Sequence, residues 1–396
     1  MTAKRDVVFL AGVRTPVGAF GGSLKDFPPT KLAAMCVKEA LSRAKIDPQL
    51  VGSCVFGNVI HSDPRDMYLS RVAAIEGGLP IGTSALTVNR LCGSGLQAIV
   101  SAAQQILLGD TDFAVAGGAE SMSRAPYTVP AERWGQKMGD AKVVDMMTAA
   151  LHDPFGHGHM GITAENVAGK YKIVRAEQDA FALDSHRRAA AARNAGRFRD
   201  QILAIEIEGR KGKTVFDRDE HIRDDATADG LGSLKPVFKK DGSVTAGNAS
   251  GINDGAAALV LADAGAAGNT GLTPIARLVA YATAAVDPSE MGLGPIPAVQ
   301  RVMARAGLTV ADMNVIESNE AFAAQAMAVA RDLGFPPDKT NPNGGAIALG
   351  HPVGATGAII TVKTLYELQR IGGRYGLITM CIGGGQGIAA IVERLN

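Results

Sequence analysis

Asn89-Arg90-Leu91-Cys92-Gly93-Ser94-Gly95-Leu96 is the stretch on which the fold turns, because a run of small residues opens here into an apolar helical pattern. Leu96, Ile99, Val100, Ala103, Ile106 and Leu107 recur at helical spacing, which predicts a helix over 95–108 with Cys92 at or just before its N-terminus. Unpaired backbone N–H groups and the positive end of the helix dipole favour a thiolate there, and the thiolate is the nucleophilic form of cysteine. An inert thiol serving as a small core hydrophobe is the competing reading.

The same turn-and-helix unit recurs far along the chain. Cys92-Gly93-Ser94-Gly95 corresponds to Gly354-Ala355-Thr356-Gly357, also ahead of a predicted helix, 358–369, with 357 − 95 = 262. Upstream, Ala40 to Ile46 leading to Asn58 matches Val302 to Leu308 leading to Asn319, with 306 − 44 = 262 and 319 − 58 = 261. Downstream, the strand-like run 112–118 matches 375–381. Two copies of a β/α unit of about a hundred residues are implied, a layered α/β architecture. Between them, Ser121 to about Asn248 carries charge runs and few strand patterns. It reads as an inserted domain with several helices, including 175–194.

Composition limits what such a protein binds. Lys and Arg number 40 against 39 Asp and Glu, so no global field recruits nucleic acid or an acidic membrane surface. No run approaches the roughly 18 apolar residues of a membrane span. Gly fills 48 of 396 positions, about 12% against about 7% on average, largely in clusters after strand-like runs where backbone can approach a ligand. Cys36, Cys54, Cys92 and Cys381 have no CxxC spacing, and reduced thiols in a cytoplasmic protein are the simplest reading.

Several further residues carry chemistry. His351 lies in the Gly-rich loop Gly344 to Gly354, just before the second helix. If the halves pack about a local two-fold, it faces the Cys92 turn and can accept the thiol proton; a turn or capping histidine is the plain alternative. Cys381 ends an apolar strand before Ile382-Gly383-Gly384-Gly385-Gln386-Gly387, whose unobstructed N–H groups suit an oxyanion site. Asn319 and Glu320 follow the apolar Val315-Ile316 at a strand's C-terminal end, where α/β ligand sites gather, although a helix cap is equally open to Asn319. His152, His157 and His159 invite a metal reading, but no Cys or carboxylate-rich partner motif accompanies them, and no metal is expected. Arg187, Arg188, Arg193, Arg197 and Arg199 read as a solvated helical face.

Together, Asn89 to Gly95, Asn319-Glu320-Ala321-Phe322, Gly350-His351-Pro352 and Cys381 to Gly387 resemble the thiolase family across essentially the whole chain. Gly12 to Pro16, Gly117 to Ser123 and Gly247 to Gly251 resemble its other motifs. The resemblance implies an α/β thiolase-like fold: two duplicated βαβαβαββ halves with five-stranded mixed sheets, in a five-layered α-β-α-β-α core plus an inserted loop domain. The N-terminal half would take residues 1–120 with 249–271, the insert 121–248, and the C-terminal half 272–396.

The family's activity is ping-pong acyl transfer. Its pattern implies Cys92 as acyl carrier, His351 as its base and Cys381 as acid/base. Asn319, through a water, and His351 would hold one thioester oxygen, and the N–H groups of Cys92 and Gly383 the other. Leu151, His159, Arg223, Phe238, Ala246 and Ser250 would contact coenzyme A, with Met160, Met291 and Phe322 lining the catalytic cavity. Acetyl-CoA, 3-ketoacyl-CoA and CoA are the implied substrates and products, with no cofactor. The segment 121–140 resembles a tetramerisation loop, implying a homotetramer built as a dimer of dimers. The detailed motifs are most similar to bacterial acetyl-CoA acetyltransferases and broad-range β-ketothiolases. A degradative 3-ketoacyl-CoA thiolase with longer-chain preference and a non-catalytic acyl-CoA-binding protein are the other readings.

Overall fold

The computed structural model describes residues 5–209 and 212–396; the first four residues of the N-terminal half and residues 210–211 of the insert lie outside the described residues. In the N-terminal half the strands lie in the spatial order Ser84–Val88, Ser53–Gly57, Phe113–Ser121, Asn253–Asp263 and Val7–Arg14. The first three are parallel and the last two join antiparallel. The C-terminal half repeats this order with Met313–Ser318, Tyr375–Ile382, Gln386–Arg394 and Ala276–Ala285. The half-sheets meet where Val8 and Phe9 pair with Arg277 and Ala276.

One strand of the duplication is reduced. The counterpart of Ser84–Val88 is an isolated parallel bridge between Ile316 and Thr340, so five strands per half is corrected to four and a bridge in the second. Pro336 and Pro337 precede it and have no N–H to give to a ladder, while Pro336 O instead closes turns onto Lys339 and Thr340.

Helices Ser94–Leu108 and Thr356–Ile371 form the central layer, starting 356 − 94 = 262 residues apart as the repeat predicts. Their apolar faces share one core with side chains from both half-sheets. They cross so closely that a Cβ on Gly95 would stand 2.7 Å from Ala358 N, and one on Gly357 2.3 Å from Leu96 N. Glycine at these two positions is therefore a condition of the crossing. Outside the sheets, Pro29–Ala44 covers the first half and Pro295–Ala306 the second. These helices end on left-handed residues, Lys45 and Gly307, again 307 − 45 = 262 apart. The result is the five-layered α-β-α-β-α core.

The segment Leu91–Leu108 is by length and composition apolar enough to cross a membrane, which corrects the expectation that no such run exists. It is the central helix with its lead-in, enclosed between two sheets. The insert holds helices Met160–Tyr171 and Arg175–Asn194 together with the hairpin Ile205–Gly209 and Gly212–Phe216. Its arginines are less free than a solvated face requires. Arg188 donates to Pro337 O at 2.9 Å and Thr340 O at 2.8 Å, Arg197 to Asn343 at 2.9 Å, and Arg193 to Asp224 at 2.7 Å. From the other side, buried Arg14 at the end of the first strand grips Asp219 at 2.6 and 2.9 Å and Gln201 at 2.8 Å. The bonds of Arg188, Arg197 and Arg14 seat the insert on both halves, while that of Arg193 ties the insert to itself.

Candidate active site

The turn before the first central helix is wound tightly around Cys92. Leu91 takes φ 45°, a left-handed conformation that costs a non-glycine residue about 1–3 kcal/mol. Local bonds hold it there: Leu91 N–H donates to Asn89 Oδ1 at 2.9 Å, Arg90 N–H donates to Ser94 Oγ at 2.8 Å, and the Ser94 hydroxyl donates to Leu91 O at 2.6 Å. Cys92 is left two residues ahead of the helix with 7% of its surface exposed.

Burial pushes this thiol up to about 11, and the backbone N–H groups of Gly383 and Cys92 itself pull only part of the way back. That corrects the expectation of a resting thiolate. A helix N-terminus is worth up to about 2 kcal/mol to a negative charge, less than burial removes here. The thiol therefore needs a base.

His351, which lines the same cavity as Cys92, is the candidate. Its backbone N–H donates to Asn253 Oδ1 at 2.9 Å, and its ring is 5% exposed. The Thr356 hydroxyl gives its only proton to Pro352 O at 2.9 Å, so its oxygen accepts from His351 Nδ1–H at 2.6 Å. The proton is thereby assigned to Nδ1, leaving a lone pair on Nε2, which is buried with no protein partner. Burial also lowers the imidazole to about 4, so the ring is neutral near pH 7.

Cys381 lies near the end of strand Tyr375–Ile382, 1% exposed, and burial followed by the proximity of Cys92 drives its thiol far above the ordinary range. It is a thiol at rest. Asn319 directly follows strand Met313–Ser318, its N–H donating to Thr379 O at 3.0 Å, so it is no helix cap. Both atoms of its side-chain amide are buried and unpartnered.

Cys92, His351 and Cys381 open onto one cavity of about 580 Å³. Leu151, His159, Met160 and Arg223 from the insert lie on its wall, as do Phe238, Ala246 and Ser250. Met291 and Phe322 line it from the C-terminal half. Asn319 and Gly383 are not on the wall itself; Gly383 presses on it, since a Cβ there would stand 2.2 Å from Met160 Cε. Of the three clustered histidines, only His159 reaches the cavity. Its Nδ1 accepts from Gly161 N–H at 3.0 Å and its ring stacks on Phe238 at 4.5 Å, with Phe322 edge-on beyond. His152 Nδ1 turns instead to Thr148 O at 2.8 Å.

Sequence reasoning missed Met122, Ile252 and His221 on the wall. Met122 falls within the motif Gly117 to Ser123 without being singled out, and no local pattern marks Ile252. His221 lies two residues before Arg223, close enough to have been weighed with it.

The fold and this thiol–imidazole–thiol site define an acyl-transfer enzyme of thiolase architecture. The chain belongs to the thiolase family: residues 7–265 match the thiolase N-terminal domain and residues 272–394 the thiolase C-terminal domain. It is 64% identical over 392 residues to beta-ketothiolase BktB of Cupriavidus necator, covering 99% of this chain and 100% of that protein. It is 50% identical to an acetyl-CoA acetyltransferase of Chromobacterium violaceum, covering 98% and 100%. The crystal structure of human mitochondrial 3-ketoacyl-CoA thiolase in complex with CoA superposes with a TM-score of 0.96 at 47% identity, covering 99% of this chain and 98% of that one.

Proposed function

We propose that this thiolase condenses two acetyl-CoA into acetoacetyl-CoA and CoA, and in reverse thiolyses short 3-ketoacyl-CoA, through an acyl-Cys92 intermediate. One observation carries the reading: a buried thiol, a neutral imidazole with an unpaired nitrogen and a second thiol share one cavity. His351 Nε2 takes the Cys92 proton as the sulfur attacks the acetyl carbonyl. The bond from that carbonyl carbon to the CoA sulfur breaks, and the CoA thiolate leaves with the proton from Cys381, which becomes a thiolate beside protonated His351.

A second acetyl-CoA then loses a methyl proton to Cys381 in its thiolate form. The resulting carbanion attacks acetyl-Cys92, the Cys92 sulfur departs, and protonated His351 returns its proton to it. In thiolysis Cys381 instead donates to the acetyl-CoA carbanion as the carbon–carbon bond breaks. A thiol whose pKa lies so high is suited to that donation. Asn319, through a water, and His351 would stabilise one oxyanion, and the N–H groups of Cys92 and Gly383 the other. Electron pairs come from protein thiolates and substrate carbanions, so the scheme calls for no cofactor.

Leu151, His159, Arg223, Phe238, Ala246 and Ser250 are assigned to CoA. Acyl groups longer than acetyl are a second reading, favoured by three flexible methionines on the cavity wall, Met122, Met160 and Met291. Incubation with acetyl-CoA followed by peptide mass spectrometry tests the main reading, which fails if Cys92 carries no acetyl group. Thiolysis rates over a 3-ketoacyl-CoA chain-length series test the second. For assembly, a homotetramer through residues 121–140 agrees with Trp134 and Met138, 89% and 90% exposed in the single chain, and is tested by solution mass.

A further inference from the structure

Glu120 lies near the end of strand Phe113–Ser121, fully buried, and takes no part in the acyl-transfer scheme. Its two oxygens serve both halves of the molecule. Oε1 accepts from Ile60 N–H at 3.1 Å and Asn58 Nδ2 at 3.1 Å, both in the N-terminal half. Oε2 accepts from Val59 N–H at 3.0 Å in that half and from Gly354 N–H at 2.9 Å in the other. Burial raises the carboxyl to about 8 even against the N–H groups of Ile60, Val59 and Gly354, which pull it down. All four partners are donors, the set that a carboxylate satisfies and a carboxylic acid does not.

The bonds continue from Glu120 to both reacting groups. On one side Val59 O accepts from Asn89 Nδ2 at 3.3 Å, and Asn89 Oδ1 holds Leu91 N–H, the residue before Cys92. On the other, Gly354 lies in the turn that runs from Pro352 to Thr356. There the Thr356 hydroxyl bonds Pro352 O and receives His351 Nδ1–H. The approach at Gly354 leaves no room for a side chain: a Cβ would stand 2.5 Å from Glu120 Oε2 and 3.0 Å from Asn58 Cα.

We infer that Glu120 is a positioning residue for acyl transfer, a buried carboxylate that pins the His351 turn of one half to the Cys92 turn of the other and so sets where Nε2 stands relative to the thiol. The inference rests on the proposed roles of Cys92 and His351. It goes beyond them in requiring that a residue touching neither substrate nor the reacting atoms govern kcat. Charge and reach are both needed: Gln turns one acceptor into a donor facing N–H groups, and Asp keeps the charge but withdraws it by one methylene.

Steady-state thiolysis of acetoacetyl-CoA by wild type, E120Q, E120D and G354A, each with its melting temperature, tests this. Misplacing a reacting group by an ångström costs up to about a hundredfold, so E120Q should lose about tenfold to a hundredfold in kcat with KM within about threefold. E120D should regain part of the loss. G354A, which pushes the same contact apart from the other side, should reproduce the kcat loss, and the double variant should be no slower than the slower single one. If E120Q does not fold, G354A and the KM-against-kcat split carry the test. An E120Q protein that melts earlier but keeps kcat within twofold overturns the inference, as do E120Q and G354A losses that multiply. Wild type without thiolysis overturns the function reading instead, and is seen before any variant is made.

Discussion

Ser94 and Thr356 open the two central helices at equivalent places in the repeat, and each hydroxyl donates to a carbonyl in the turn before it, Leu91 O at 2.6 Å and Pro352 O at 2.9 Å. The difference is in what each oxygen accepts. Ser94 Oγ takes the backbone N–H of Arg90, so the first turn closes on itself and presents Cys92. Thr356 Oγ1 takes His351 Nδ1–H, so the second fixes a side-chain tautomer. One duplicated device thus presents the Cys92 thiol in one half and fixes the His351 ring in the other. Duplication supplied two facing helix starts, and divergence of a few residues gave them unequal tasks.

Removing the nucleophile breaks this pairing most severely. Cys92→Ser should lower thiolysis by about 10⁴-fold or more and abolish acetyl-enzyme detected by mass spectrometry. Thr356→Val should cost kcat about tenfold to a hundredfold, because a buried Nδ1–H without its acceptor is worth about 1–3 kcal/mol and the tautomer is no longer fixed. Ser94→Ala sharpens the contrast. It should cost about 1 kcal/mol of stability in denaturant unfolding with a smaller effect on kcat than Thr356→Val, since the hydroxyl serves only backbone.

Gly357→Ala probes the crossing that brings the turns together. The helix propensity gained by alanine, about 1 kcal/mol, should be outweighed by the clash with Leu96 N, for a net destabilisation of about 1–3 kcal/mol in the same measurement.

The gentlest probe is pH. Burial lowers His351, His159 and His186 to about 4 from 6.5. Between these values the unfolded chain binds protons that the folded one refuses, so their contribution to stability is present above about pH 6.5 and is lost as pH falls toward 4. Melting temperature should decline over that window, and less steeply in His351→Asn. A decline of the same slope in that variant would remove His351 from the set.

Much of the fold was legible because a repeat constrains more than a motif does. The offset of 262 placed both central helices, and apolar patterning put Cys381 and Asn319 at strand ends. Patterning could not show that one edge strand is reduced to a bridge, since that depends on the ladder the segment would have joined and on the left-handed Asn341 beside it. The arginines at 188, 193 and 197 read as a solvated face because their acceptors lie on segments distant in sequence. Glu120 falls within the motif Gly117 to Ser123, but nothing local gave it a task, and only the fold brings Gly354 to it. The protonation of Cys92 was misjudged because a dipole can be read from sequence and burial cannot.

The sequence by itself determined the duplicated α/β architecture, the family and the candidate thiols and imidazole that the fold gathers in one cavity, because periodicity and residue type are local properties of the chain. The tertiary structure decided which protons those side chains hold and what aims them. Desolvation raises Cys92 and Cys381 and lowers His351, and bonds through Thr356 and Glu120 join groups 5 and 234 residues apart. Both depend on what surrounds a group in space, and only the packed molecule fixes that.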